Sequence, residues 1–243
     1  MIKRKAILLN TFTAIAIIAV TLPVASQSSV YVVYYATSKG KTGHMGIALD
    51  NYSVWVKDNI DGGRSVFDTT TTSELTYYDL WPDEDHFRIT NTGRSIPAVY
   101  YKLPVASHEK ITLNRLYYEG LPHKEYYPED GILVIRTSWV QNIWLRSFLD
   151  SFVDVKQDFN ARNFNCADFV KLSLEKFLNV SLKSREFIGL GWSTTPNKLY
   201  RKLSTLSGVS VLKDPGKKSS GSFLGQRVFY TGYACKRSCF AGA

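Results

Sequence analysis

Two short segments carry the side chains best suited to chemistry, Gly43-His44-Met45-Gly46-Ile47-Ala48-Leu49 and Asn165-Cys166-Ala167-Asp168-Phe169-Val170. A thiol served by an imidazole is a nucleophile served by a base: the ring takes the proton, and the sulfur attacks a carbonyl to form an acyl-enzyme. Asn165 is a favoured helix cap, and Phe169, Val170, Leu174, Phe177 and Leu178 recur at helical spacing after it. Cys166 then takes the first helical position, where unpaired backbone N–H groups and the positive dipole end stabilise a thiolate and can donate to an oxyanion. The competing reading is a small buried residue opening an amphipathic helix.

His44 needs a partner for its second ring nitrogen. Residues 44–49 and 52–57 read as two strands joined at Asp50-Asn51, a turn signal. A three-residue turn over Asp50-Asn51-Tyr52 sets His44 across from Asp58 on a shared face, so Asp58 is the expected orienting carboxylate. A two-residue turn sets Lys57 there instead, which leaves Asp68 as the next candidate. Asp168 is expected to support the first turn of its helix through its charge.

Three cysteines are present, Cys166, Cys235 and Cys239. In an exported protein the odd count leaves one thiol over, and a local Cys235–Cys239 disulfide is the simplest pairing. A bridge from Cys166 to the tail is the alternative, and it would end the nucleophile reading. Export itself is expected from the start of the chain: Lys3, Arg4 and Lys5 precede an apolar stretch over residues 6–22, and Pro23-Val24-Ala25-Ser26 offers small residues for cleavage after Ser26. An uncleaved membrane anchor is the other reading of that stretch. Either a secreted or a periplasmic location follows from cleavage.

The 243 residues, 44% of them hydrophobic, suffice for one sizeable core, which excludes compositional disorder. We expect residues 1–26 as a signal peptide, 27–212 as one domain, and 213–243 as a linker and cysteine-containing tail. Loss of Lys3, Arg4 and Lys5 with the leader lowers the formal charge from +9 to +6. A basic surface suits anionic partners such as a cell-wall polymer or a membrane surface, and the scattered basic residues favour no specific nucleic acid.

Strand signals dominate before residue 137: Val30-Tyr31-Val32-Val33-Tyr34-Tyr35, the pair at 44–57, a short run at 65–67 after the Asp61-Gly62-Gly63 turn, and Ile132 to Ile135. Helical signals follow. Thr137-Ser138 caps a helix whose apolar face is expected to be Trp139, Val140, Ile143, Trp144, Phe148, Leu149, Phe152 and Val153. A third helix opens at Thr195-Pro196. The order implies an α+β fold, an antiparallel sheet packed against a few helices. Tyr77-Tyr78-Asp79-Leu80-Trp81-Pro82 reads as buried packing, with a substrate-cleft wall as the alternative. His86, His108 and His123 lack metal-ligand spacing and read as solvated surface, so neither metal nor cofactor is expected.

The Gly-His-x-Gly-Ile segment, followed much later by Asn-Cys-Ala-Asp-Phe-Val, resembles the circularly permuted NlpC-type branch of the papain-like cysteine hydrolases, which includes lecithin-retinol acyltransferase-like proteins. Thr195-Pro196 with Leu199-Tyr200 is similar to that group's segment after the cysteine. The resemblance spans roughly residues 44–203 and omits 75–135. It implies a permuted papain-like arrangement, with Cys166 as nucleophile, His44 as base and a polar residue on the following strand, here Asp58, as third member. It further implies amide or peptide hydrolysis, with cell-wall peptidoglycan peptides as the first substrate class. Acyl transfer or lipid-ester cleavage is the second reading, and a non-catalytic interaction protein of the same fold is the third.

Overall fold

The computed structural model describes residues 27–37, 43–59, 64–87, 93–105, 109–121, 127–187 and 191–220, of which 54–59 and 64–71 are described by their backbone alone. The expected signal peptide, His108, His123, Cys235 and Cys239 lie outside the described residues.

Strand β1 (Gln27–Tyr35) sits inside an antiparallel sheet with β2 (His44–Asn59), β3 (Arg64–Pro82), β4 (Ala98–Leu103), the short β5 (Ile111–Thr112), β6 (Gly131–Ser138) and β9 (Val209–Lys213). Its order is β4-β3-β2-β1-β6-β9, with β5 paired to β3. A separate hairpin is formed by β7 (Arg185–Phe187) and β8 (Trp192–Thr194). Among the described residues three α-helices accompany the strands: α1 (Trp139–Val155), α2 (Cys166–Leu178) and α3 (Pro196–Leu203). The α+β expectation holds in this form.

Period-two alternation divides the apolar residues between the two faces of the sheet. Val30, Val32 and Tyr34 of β1 share one face with Met45, Ile47 and Leu49 of β2, and that face packs on Leu145 and Leu149 of α1, Phe169 and Val170 of α2, and Leu199 of α3. Val33, Tyr35, Ala48 and Tyr77 form a second cluster on the opposite face, covered by Ile111, Leu116 and Leu121. Central strands buried on both sides explain why Val30 to Tyr35 reads as an unbroken β-branched and aromatic run.

One expectation fails here. Residues 44–59 form a single strand, so the hairpin turn at Asp50-Asn51 does not exist. Those residues instead make a bulge against β3, between Asp50 and Tyr52. Their polar groups, which favour a turn when nothing else satisfies them, are held by neighbours. Asp50 Oδ2 accepts from the Ser29 backbone N–H at 2.7 Å, while Arg146 of α1 donates to the Asp50 carbonyl at 3.0 Å and to Asn51 Oδ1 at 2.8 Å. The chain reverses between Asn59 and Arg64, which pair across the strands.

Helix α1 begins where expected, with Ser138 in a capping box with Gln141. Its buried stripe is rotated, however. Asn142, Leu145 and Leu149 face the core, whereas Val140, Ile143 and Trp144 are exposed by 44%, 45% and 73%. Asn142 and Arg146 explain the rotation, since Asn142 Nδ2 donates to Ser28 Oγ at 2.8 Å and Arg146 reaches the β2 bulge. Polar anchors on the core side outweigh the apolar stripe read from sequence.

Candidate active site

Helix α2 starts at Cys166 for the reason its sequence suggests. Asn165 Oδ1 accepts from the backbone N–H groups of Ala167 at 2.8 Å and Asp168 at 3.1 Å, while Asp168 Oδ2 accepts from Asn165 N at 3.3 Å. This reciprocal cap satisfies donors that the first turn would otherwise leave orphaned. Asp168 thus acts through hydrogen bonding as well as charge, and burial pushes its carboxyl upward from the ordinary range. Cys166 is half-buried at the first position of the helix and carries a thiol rather than a disulfide. Among the described residues there is no disulfide, which corrects the expectation of one; Cys235 and Cys239 lie outside the described residues.

His44 opens β2 and is 4% exposed. Its Nε2 lies 2.9 Å from Oδ2 of Asp79, a residue of β3 with no solvent exposure. The same oxygen accepts from Tyr77 Oη at 3.0 Å and from Trp81 Nε1 at 3.0 Å. Register brings these groups together: Asp79 pairs with Gly46, so Tyr77, Asp79 and Trp81 share the face of β3 that continues the His44–Gly46–Ala48 face of β2. The Trp81 ring stacks on the imidazole, centroids 4.2 Å apart and planes 24° from parallel.

Gly46 makes this crowding feasible. A methyl there would overlap the Tyr77 phenol, 2.5 Å from its Cζ. Burial holds the Tyr77 hydroxyl well above its ordinary pKa, and the Asp79 charge acts in the same direction, so it remains a donor. Because the indole N–H is also only a donor, the shared Asp79 oxygen must accept, and His44 Nε2 carries the hydrogen. The lone pair of the neutral ring is then on Nδ1.

Asp58 is not at this site. It lies fourteen residues further along the same strand as His44 and pairs with Ser65, because the turn that would have brought it back is absent. Asp68 pairs with Trp55 on the distant part of β3. Sequence reasoning placed Asp79 inside an aromatic packing segment and missed its role. The signal was present: a lone acid within a run of strand-forming aromatics must be buried with partners or not buried at all.

Helix α2 packs against β2 and β3 on the face bearing Met45, Ile47 and Leu49. His44, by alternation, belongs to the other face, at the very end of its strand. A series of bonds joins the Cys166 end of α2 to that strand end. Asn165 Nδ2 donates to the Thr194 carbonyl at 3.1 Å, and Thr195 caps α3. Asn197 Oδ1 then accepts from Tyr34 Oη at 2.5 Å and from the Thr37 backbone N–H at 2.9 Å, on either side of Tyr35, the register partner of His44.

Among the described residues no three His, Cys, Asp or Glu side chains converge as a metal site requires. His86 is 58% exposed in its side chain and pairs with Asp83 at 3.0 Å. Comparison of the chain with protein-family models, with curated proteins and with solved structures gives no match.

Proposed function

We propose that the chain is an exported cysteine hydrolase of amidase or peptidase type, with Cys166 as nucleophile, His44 as base and Asp79 as the carboxylate that orients it. The observation that carries this reading is the buried His44–Asp79 contact, which leaves Nδ1 as the proton-accepting nitrogen of a strand-end histidine. The thiol proton passes to Nδ1, and sulfur adds to the carbonyl carbon. The tetrahedral oxyanion is met by backbone N–H groups at the start of α2, and the amine or alkoxide departs with the proton from His44. Water, deprotonated by the same nitrogen, then releases the acyl group. This reading requires the two side chains to meet around the end of the sheet, with the histidine strand before the cysteine helix as in a permuted papain-like arrangement.

Peptide amides of an anionic cell wall are the first substrate class, in keeping with the basic composition and the leader-like segment at residues 1–26. Transfer to an acceptor other than water, or cleavage of lipid esters, is the second reading, favoured by the exposed aromatic hairpin β7–β8 beside the Cys166 cap. Incubation with peptidoglycan fragments or with phospholipid, followed by mass spectrometry, tests both. A thioester mapped to Cys166 and absent from Cys166→Ala supports the reading, and its substrate separates the two classes. Failure of both classes to label Cys166, with the protein folded, counts against acyl-enzyme chemistry.

A further inference from the structure

The hairpin β7–β8 combines two features on one small element. Its end carries exposed aromatics, Phe187 at 43% and Trp192 at 61%, whose rings meet edge to face with centroids 6.2 Å apart. At its base lies a cavity of about 320 Å³ lined by Lys171, Lys183, Arg185 and Lys198 together with Ser181 and Ser184. Lys183 and Arg185 are exposed, and Lys171 and Lys198 are half-buried.

Carboxylates nearby are turned to other work. Glu175 accepts from the Leu182 backbone N–H at 2.5 Å and lies 3.9 Å from Lys171, Glu186 accepts from Thr195 Oγ1, and Asp168 belongs to the α2 cap. Glu175 thus partners Lys171, and Lys183, Arg185 and Lys198 leave the rim with an excess of cationic heads. It is also fixed in place: Arg185 Nη2 donates to the carbonyls of Arg162 at 3.1 Å and Trp192 at 2.7 Å, and Lys198 Nζ to the Arg185 carbonyl at 2.9 Å. Ser193 of β8 accepts from Asn165 Nδ2 at 3.1 Å, so the hairpin is bonded directly to the residue that precedes Cys166.

An aromatic tip above a basic collar matches the layering of an anionic bilayer, in which indole and phenyl rings sit at the headgroup level and Lys or Arg meets lipid phosphate. We propose that this hairpin docks the protein on an anionic phospholipid surface, with Phe187 and Trp192 entering the interface and Lys171, Lys183, Arg185 and Lys198 holding phosphate headgroups. Charge complementarity calls for an anionic partner, and the two exposed rings select a bilayer over an acidic polymer, because a polymer in water gives them nothing to enter. The docking does not depend on the thiol chemistry, and it would set the Cys166 end of α2 against the lipid surface.

The test uses the full chain with vesicles of phosphatidylcholine alone or of phosphatidylcholine mixed with phosphatidylglycerol. Residues 6–22 are themselves apolar, so the readout is the difference between variants of the same chain. Removing cations by Lys183→Ala and Arg185→Ala is expected to weaken partitioning onto anionic vesicles roughly fivefold each. Trp192→Ser is expected to weaken it roughly tenfold to a hundredfold. These residues are surface-exposed, and unchanged circular dichroism and thermal melting would verify folding of each variant. Vesicles containing brominated acyl chains should quench fluorescence of the parent more than that of Trp192→Phe. Equal partitioning of parent and variants, or equal quenching, would overturn the proposal. So would displacement by inorganic phosphate at matched ionic strength, which would reduce the cavity to a site for free phosphate, or binding to an acidic wall polymer without binding to vesicles.

Discussion

His44 Nε2 and Asp79 Oδ2 stand 2.9 Å apart on adjacent strands, and the oxygen between them is shared with Tyr77 and Trp81. Three donors on one buried carboxylate oxygen fix the imidazole in plane and in tautomer. Asp79→Asn should keep the shape of the site while removing the charge that favours an imidazolium. The account expects the rate of acyl-enzyme formation to fall about 10²- to 10⁴-fold, with substrate binding little altered. Single-turnover kinetics would read the split.

Gly46→Ala tests the packing beneath that pair. The added methyl must displace the Tyr77 phenol, and with it one donor to Asp79. Overpacking of this kind costs about 1–3 kcal/mol, which chemical denaturation would measure. Gly46→Ala combined with Tyr77→Phe should not recover the loss, because the ring carbons clash as well as the hydroxyl.

Asn165 ties the Cys166 helix to the β7–β8 hairpin. Asn165→Ala removes two bonds to helical N–H groups and the two amide N–H groups shared among Ala161 O, Ser193 Oγ and Thr194 O. A helix cap alone is worth about 1 kcal/mol, and the buried acceptors left behind raise the expected cost to roughly 2–4 kcal/mol. Asn165→Asp keeps the cap but turns a buried carboxylate oxygen onto the Ala161 and Thr194 carbonyls, so it should not recover the stability lost in Asn165→Ala.

Much of this architecture is legible from residue types. Asn165, Ser138 and Thr195 announce their helices because capping is a local interaction that sequence spacing records. The β1 strand is legible because both its faces are buried. Asp58 was misplaced because the Asp50-Asn51 signal is local, whereas Ser29 and Arg146, which satisfy that segment in an extended form, are distant in sequence. Asp79 was missed for the same reason: its partners His44, Tyr77 and Trp81 come together only through strand register. The exposed face of α1 was misread because Trp144 and Ile143 supply hydrophobicity without direction, while Asn142 decides the rotation through a bond to Ser28.

Glu129 supplies a pH dependence independent of catalysis. Its side chain is buried, with neither oxygen hydrogen-bonded to another side chain or backbone group at standard geometry and Lys213 Nζ 3.9 Å away; burial raises its carboxyl to about 7. A raised folded-state value means the folded protein holds the proton more tightly than the unfolded chain does. This contribution is therefore fully present below the unfolded value near 4.5 and is lost as pH rises through about 7. The span corresponds to at most about 3 kcal/mol. Glu129→Gln should flatten the stability profile between those two values, as read by denaturant midpoints across pH.

The central claim is that His44 activates Cys166. The rate of iodoacetamide alkylation at Cys166, mapped by mass spectrometry at neutral pH in the folded parent and in His44→Ala, measures it most directly. The account predicts that Cys166 of the parent reacts about 10²-fold faster than in His44→Ala, and that Asp79→Asn falls between them. Equal rates in parent and His44→Ala, with both proteins folded, would contradict it.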